Sequence, residues 1–420
     1  MGEHTMRLAF VVQRYGLDVN GGAEVECRQL AERMSRHMQV EVLTTCAEDY
    51  HTWRNVYPAG GEVINGVPVR RFPVDRERTM DEFSRFTDEL RSRPRSFADE
   101  MRWMELQGPM CSGLLRYLEV NESRYDLFFF MTYLYASNFF GLQLVPHKSM
   151  LLAMAHDDPW IRFGIFKSLF HLPRAFVFNT VEEQQLIHRL FKNEYIPGRV
   201  LSSGMDTAAL AAIAADLHSD TLQQDARVGS QDEYIIFVGR VDPSKGCDQL
   251  FEYFLRYKRE TGSAVKLVLV GKPTMPIPAH PDILPLGFVR EEPYPWMARA
   301  RALLLPSVFE SLSLVVLESM GMSVPVLVNG RCDVARGHCR RSNGGLYYYS
   351  YEEFATALSL LLTRPGLRAR LGRQGQAYVQ QNYAWEVMEG RFVEWVTWVA
   401  QNNANTRNGG ASGRGTGQND

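Results

Sequence analysis

The sequence predicts an α/β fold made of two Rossmann-like parallel sheets in series. Three observations carry that expectation. Short apolar, β-rich runs alternate with helical patterns in both halves, which is how a parallel sheet covered by helices reads. The 420 residues exceed the ~250–300 at which a single core stops growing, so two domains are expected. The composition, 45% hydrophobic and 22% charged with a formal net charge of -2, is that of an ordinary globular chain.

In the first half the predicted strands are LAFVVQ (8–13), VEVLTT (40–45), PVRRFPV (68–74), LFFFM (127–131), MLLAMA (150–155) and AFVFNT (175–180). In the second half they are YIIFVGR (234–240), VKLVLVG (265–271), DILPLG (282–287), ALLLPS (302–307) and PVLVN (325–329). A segment at 76–120, rich in Arg, Glu and Phe at helical spacing, reads as a helical insertion in the first sheet. Residues 205–232 turn Ala-rich and then polar, and are taken as the linker. The expected layout is therefore a first domain over 1–205, a second over 206–384, a helix at 385–401 crossing back to the first, and a tail at 402–420. That tail holds no large apolar residue, so it is expected to be disordered.

Composition also excludes functions. Without a basic surplus, nucleic acid is not an expected partner. The six cysteines (Cys27, Cys46, Cys111, Cys247, Cys332, Cys339) are scattered without CxxC spacing and read as reduced thiols of a cytoplasmic protein. Cys332, His338 and Cys339 lie within eight residues of one another but lack a second half, so they read as a thiol-bearing loop, GHCRR included, and not as a zinc site. The start, MGEHTMRLAFVVQ, has neither the apolar run of a signal peptide nor a small residue at Met6 for myristoylation. Leu127 to Val145 is uncharged and long enough to suggest a membrane span, but its Thr, Ser, Asn, Gly and Gln split it into a buried strand, a turn and an amphipathic helix.

Candidate chemistry gathers at strand-to-helix junctions. After the first strand, Gly21 and Gly22 precede a helix, where backbone amides can approach a phosphate or sugar. In the second half Arg240 follows the first strand of its sheet, at the edge where open α/β sheets bind ligands, and Lys245 comes five residues later. Two cations so placed suit a diphosphate; a solvated surface pair fits the same spacing. In PSVFESLSLVVLES (306–319) Glu310 falls in a loop and Glu318 on a helix that starts near Ser313. A diphosphate resting on the amides of Ser313 and Leu314 would leave a sugar on one side and a ribose on the other, each wanting a hydrogen-bond acceptor. One helix-end charge and one unrelated Glu remain the alternative.

The pattern FVGR-x4-KG (237–246), G-x-V (287–289), PS-x2-E-x7-E (306–318) and Gly321 followed by Pro325 and Val326 resembles the retaining GT-B glycosyltransferases of family 4. GGAE (21–24), AHDDPW (155–160), AFVFNTVEEQ (175–184) and GMD (204–206) fall in the family's order, so the resemblance covers almost the whole chain. Leu312 and the Met322-Ser323 pair depart from the commonest pattern, and neither removes a charged group.

The resemblance implies two Rossmann-like domains facing each other across a cleft, and transfer of a sugar from a UDP- or GDP-sugar to a glycan, lipid-linked or small-molecule acceptor. Carried onto this chain, it implies that Arg240 and Lys245 hold the donor diphosphate, that Ser313 and Leu314 offer amides to it, and that Glu318 binds the ribose. Val289 lies in the loop near the base, Gly21 and Gly22 approach the donor from the other domain, and Glu310 and His156 act at the transferred sugar. No cofactor and no metal are implied. A GT-B sugar-nucleotide epimerase and a non-catalytic sugar-binding partner are the rival readings. The Arg-rich, Phe-dotted insertion also fits peripheral contact with the inner face of a membrane; the solvated side of helices packed on the domain is the alternative.

Overall fold

A computed structural model of the chain describes residues 5–19, 21–216, 232–287 and 293–409. The chain divides into two compact units, one of Met1–Ser203 with Glu389–Asp420 and a second of Gly204–Met388.

The first unit runs β1 (Arg7–Val11), α1 (Gly22–Met34), β2 (Gln39–Thr45), β3 (Gly60–Ile64), β4 (Val67–Phe72), α2 (Met80–Ser92), α3 (Phe97–Gln107), α4 (Ser112–Asn121), β5 (Leu127–Met131), α5 (Ala136–Leu144), β6 (Ser149–Leu152), α6 (Ile165–Leu169), β7 (Ala175–Phe178), α7 (Val181–Phe191) and β8 (Gly198–Val200). Its sheet has the order β3-β4-β2-β1-β5-β6-β7-β8. All pairs are parallel except β3 with β4. β5 and β6 are buried along their whole length, as continuous apolar runs covered on both faces should be. The insertion forms α2, α3 and α4, with Ser96 and Asp99 making reciprocal capping bonds at the start of α3. No helix among the described residues is long and apolar enough to cross a membrane; the uncharged Leu127–Val145 stretch is β5, a turn and α5.

The second unit runs α8 (Thr207–Ala215), β9 (Tyr234–Val238), α9 (Cys247–Thr261), β10 (Lys266–Val270), β11 (Ile283–Gly287), α10 (Tyr294–Arg299), β12 (Leu303–Leu305), α11 (Leu314–Gly321), β13 (Val326–Asn329), α12 (Asp333–Ser342), β14 (Gly345–Tyr348), α13 (Tyr351–Thr363) and α14 (Pro365–Tyr383). Its all-parallel sheet is ordered β11-β10-β9-β12-β13-β14. This is the doubly wound order, whose connections leave in opposite directions from β9 and β12. α15 (Trp385–Gly409) begins in this unit, and from Glu389 its residues belong to the first.

Three sequence expectations change. The supposed linker begins with α8: Asp206 caps it by accepting from Ala209 N–H at 2.9 Å, and Leu210 is buried. Alanine has the highest helix propensity, so an Ala-rich run with a cap is a helix and not a tether; residues 217–231 lie outside the described residues. The expected tail from 402 begins inside α15, because no Gly or Pro interrupts the chain between 402 and Gly409 and an established helix propagates; residues 410–420 lie outside the described residues. GHCRR is part of α12, not a loop. Its apolar face is Val334, Ala335, His338 and Cys339, which the surrounding arginines and Gly337 hid from a reading by hydropathy.

Candidate functional site

In the second unit β9 and β12 are neighbours, and the segments leaving their C-terminal ends carry four of the predicted residues. Asp242, just past β9, accepts from the backbone N–H of Lys245 at 3.1 Å and pairs with Arg240 Nε at 3.0 Å. Burial pushes the Asp242 carboxyl up, but the Ser244 hydroxyl and the Arg240 charge outweigh it and hold the group below its ordinary range. The turn ends at Gly246, whose φ of +74° favours glycine. A methyl group there would sit 2.5 Å from the carbonyl oxygen of Pro306. That close approach sets the two segments side by side. Lys245 Nζ donates to Glu310 Oε1 at 2.8 Å, and Asn329 Nδ2 holds the Pro306 carbonyl at 3.1 Å.

Glu310 leads to Ser313, which caps α11 in the left-handed region at φ +64°. A non-glycine residue there costs on the order of 1–3 kcal/mol and persists only where its surroundings enforce it. The enforcement comes from α12: buried His338 Nε2–H donates to the carbonyl of Leu312 at 2.9 Å, while its Nδ1 lies 3.2 Å from the Tyr378 hydroxyl. Burial, with the charge of Arg341, pushes His338 down to about 3, so the imidazole is neutral. Ser313 Oγ is buried and has no hydrogen-bond partner among the described residues. Leu314 opens α11; the first-turn N–H groups of Val316 and Leu317 donate to the Ser313 carbonyl at 3.0 and 3.4 Å, whereas those of Leu314 and Val315 have no acceptor within the helix. Glu318 lies on the same helix, half-buried, and accepts from the Tyr294 hydroxyl at 3.1 Å. Arg240, Lys245, Glu310, Ser313, Leu314 and Glu318 thus share one edge of one sheet; Val289 lies outside the described residues.

Gly21, Gly22 and His156 belong to the first unit. Gly21 caps α1, and a methyl group on it would meet the Glu24 carboxylate at 1.9 Å. On Gly22 a methyl group would meet nothing within 4 Å. Glu24 is itself held by buried Arg14, at 2.6 Å, and by Gln13 Nε2 at 2.8 Å. His156 follows β6, the neighbour of β5, and is partly exposed, with Nε2 3.3 Å from Asp158 Oδ2. Asp158 also accepts from the N–H groups of Trp160 and Ile161 at 2.9 and 3.0 Å. Asp157 turns away to Arg162 at 2.5 Å.

Residues 232–364 match the family model described as glycosyl transferases group 1. The sucrose-phosphate synthase of Thermosynechococcus elongatus superposes with a TM-score of 0.69 at 15% identity, over 94% of this chain and 99% of that one. The chain has the GT-B fold. Anabaena HepE, solved with UDP and glucose, superposes on it with a TM-score of 0.67 at 15% identity, covering 93% of this chain and 99% of that one. In sequence, the D-inositol 3-phosphate glycosyltransferase of Kribbella flavida is 26% identical over 230 residues, 50% of this chain and 53% of the relative. The match thus spans about half the length of the curated relatives.

Several residues of this GT-B chain escaped the sequence reading. His338 and Tyr294 act through neighbours 26 and 24 residues away, and nothing local signals that. Glu26 and Glu183 are fully buried carboxylates. Burial pushes Glu26 up to about 7 against bonds from Asn179 and Ser203, and Glu183 up to about 8 against bonds from Ala155 and Asn179. A charged residue at a position of the helical repeat that should be apolar was the available signal for both. Among the described residues no group of three or more His, Cys, Asp or Glu is arranged to hold a metal ion. All six cysteines are free and buried, and burial pushes the Cys332 thiol up to about 12.

Proposed function

We propose that the protein is a retaining glycosyltransferase that moves a sugar from a UDP- or GDP-sugar to a hydroxyl of a glycan, lipid-linked or small-molecule acceptor. The observation that carries this reading is the 2.8 Å Lys245–Glu310 pair at the β9/β12 switch point, close to the N-terminus of α11. A cation and an acceptor side by side are what the junction between a diphosphate and a sugar requires. The group 1 match over 232–364 and the UDP-bound HepE relative support it.

In this reading Arg240 and Lys245 take the donor diphosphate, with the amides of Ser313 and Leu314. Glu318 binds the ribose hydroxyls, and Gly21 and Gly22 admit the donor to the backbone of α1. Glu310 leaves Lys245 to hold the transferred sugar, and His156 contacts that sugar at the reaction centre. The anomeric carbon–oxygen bond to the diphosphate breaks as the acceptor oxygen bonds to the same face, and the acceptor proton passes to the departing phosphate. Charge growing on the leaving group is stabilised by Arg240, Lys245 and the helix end. These groups neutralise the diphosphate, so the reading invokes no metal. Incubation with UDP-, GDP- and ADP-sugars tests it. Release of nucleoside diphosphate with the donor sugar unchanged is expected; an epimerised sugar nucleotide, or no turnover of any donor, overturns it.

The reading extends to peripheral contact with an anionic bilayer through α2 and α3, where Phe97 is 66% exposed. Flotation with phosphatidylglycerol vesicles is the expected result, and absence of flotation at low salt refutes this part.

A further inference from the structure

Glu183 sits in the first turn of α7, three residues after Thr180, the residue that caps the helix. Thr-x-x-Glu is the spacing of a capping box, in which the Glu carboxylate would return to the backbone N–H of the capping residue. Here it reaches further. One oxygen accepts from Asn179 N–H at 2.6 Å, and the other reaches across to β6's exit and accepts from Ala155 N–H at 2.7 Å. The Glu183 side chain is 1% exposed, and a carboxylate so placed needs every bond it makes.

The segment it grips is unusual in its own right. β6 ends at Leu152, and Met154 then takes a left-handed φ of +53°, a conformation a methionine adopts only under constraint. Ala155 follows, and His156 is next. On the preceding residues the neighbouring strand's exit adds two backbone bonds, Thr132 N–H to Leu152 O at 2.7 Å and Tyr133 N–H to Ala153 O at 3.4 Å. The backbone immediately before His156 is therefore clamped from two sides, and the Glu183 clamp is the one that falls on the residue adjoining it. Asn179 is shared with a second buried carboxylate, Glu26, through Nδ2 at 3.2 Å, which ties the clamp to α1.

We infer that Glu183 is a positioning residue for His156, fixing through the Ala155 amide the turn that presents the imidazole to the reacting sugar. This rests on the reading of His156 given above. A purely structural role, as part of the start of α7, is the rival, and Thr180→Ala supplies its control, since the Thr180 hydroxyl accepts from Glu183 N–H at 3.1 Å at the helix cap.

The experiment has two arms. Glu183→Gln and Glu183→Ala are made in the full chain, alone and combined with His156→Ala. The amide that Glu183→Gln introduces keeps one acceptor and sets an NH2 group against the other N–H. With the sugar nucleotide that the chain cleaves, each Glu183 variant is expected to lower kcat at least tenfold with donor KM within threefold. On the His156→Ala background the same changes should cost less than threefold. Equal losses on both backgrounds, or a Thr180→Ala variant that reproduces the loss, overturn the inference and leave Glu183 a structural residue. A His156→Ala chain with undiminished kcat overturns the reading of His156 instead. The second arm needs no turnover: in histidine-labelled NMR spectra, of the ten histidines, the His156 ring signals should move in Glu183→Gln and stay in Thr180→Ala. Unmoved His156 signals in a folded Glu183→Gln chain refute the clamp whatever the activity.

Discussion

Lowering the pH should loosen the second unit through His338. The imidazole is buried and neutral, donating to the Leu312 carbonyl and facing the Tyr378 hydroxyl, and its pKa is pushed down to about 3. In the unfolded chain a histidine titrates near its ordinary value, about 6.5. The native group therefore binds its proton less readily than the unfolded one. Its contribution is complete above pH 6.5 and is lost as pH falls from 6.5 toward 3. The slope is about 1.4 kcal/mol per pH unit, so at pH 5 the loss is roughly 2 kcal/mol. His338→Gln keeps a donor near the position of Nε2 and removes the titration. At pH 7.5 the variant should be less stable by about 1–3 kcal/mol, the cost of imperfect packing and a disturbed buried bond. Between pH 6.5 and 5 its denaturation midpoint should fall less steeply, by about one proton's worth. Urea melts of both chains at half-unit intervals from pH 5 to 8, read as the difference between them, isolate this residue from the carboxylates common to both. Parallel curves would refute the assignment of a neutral, proton-refusing His338.

Lys245→Ala should lower kcat/KM for the donor about 100- to 1,000-fold by removing a transition-state charge, yet move the melting midpoint little, because a pair with Lys245 32% exposed contributes about 0–1 kcal/mol; activity within threefold of the parent contradicts the site. Glu26→Gln should show the opposite pH sense to His338. The raised Glu26 pKa, about 7, means stability present below about 4.5 and lost as pH rises through 7, so the variant should gain up to roughly 3 kcal/mol at pH 8.5 and little at pH 5; an equal change at both, in urea melts, sinks the argument. Gly246→Ala, with a methyl group 2.5 Å from the Pro306 carbonyl at φ +74°, should cost about 2–4 kcal/mol by calorimetry and weaken donor binding; a neutral substitution would show the two segments are not in contact.

The alternation of apolar strands and helices was legible because parallel strands buried on both faces leave unbroken runs such as LFFFM, which is β5 to the residue. β3 was missed although Asn65 and Gly66, at φ +47° and +81°, spell the two-residue hairpin turn that joins it to β4. Its five residues are almost all exposed, so hydropathy is silent there. β8 and β14 are three- and four-residue strands at sheet edges, where little burial is needed to hold the pairing. At the candidate site, charges in a fixed order beside glycines singled out Arg240, Lys245, Glu310 and Glu318 in the sequence. What the sequence could not convey is which distant backbone a buried side chain grips: His338 on Leu312 and Glu183 on Ala155 are contacts of the folded chain alone.

The last helix bears on how the molecule is made. From Glu389 onward α15 supplies Phe392, Trp395, Val396 and Val399 to the interior of the first unit, and Trp395 donates to the carbonyl of Phe176 in β7 at 3.2 Å. The second unit is thus an insertion within the first. On the ribosome, Gly204–Met388 is complete before its host is: the N-terminal half must wait, with the α15-facing side of its sheet uncovered, for residues synthesised almost two hundred positions later. A chain that stops short of Trp395 would damage the domain at its opposite end, and expressing the first unit by itself requires joining Ser203 to Glu389 across the gap.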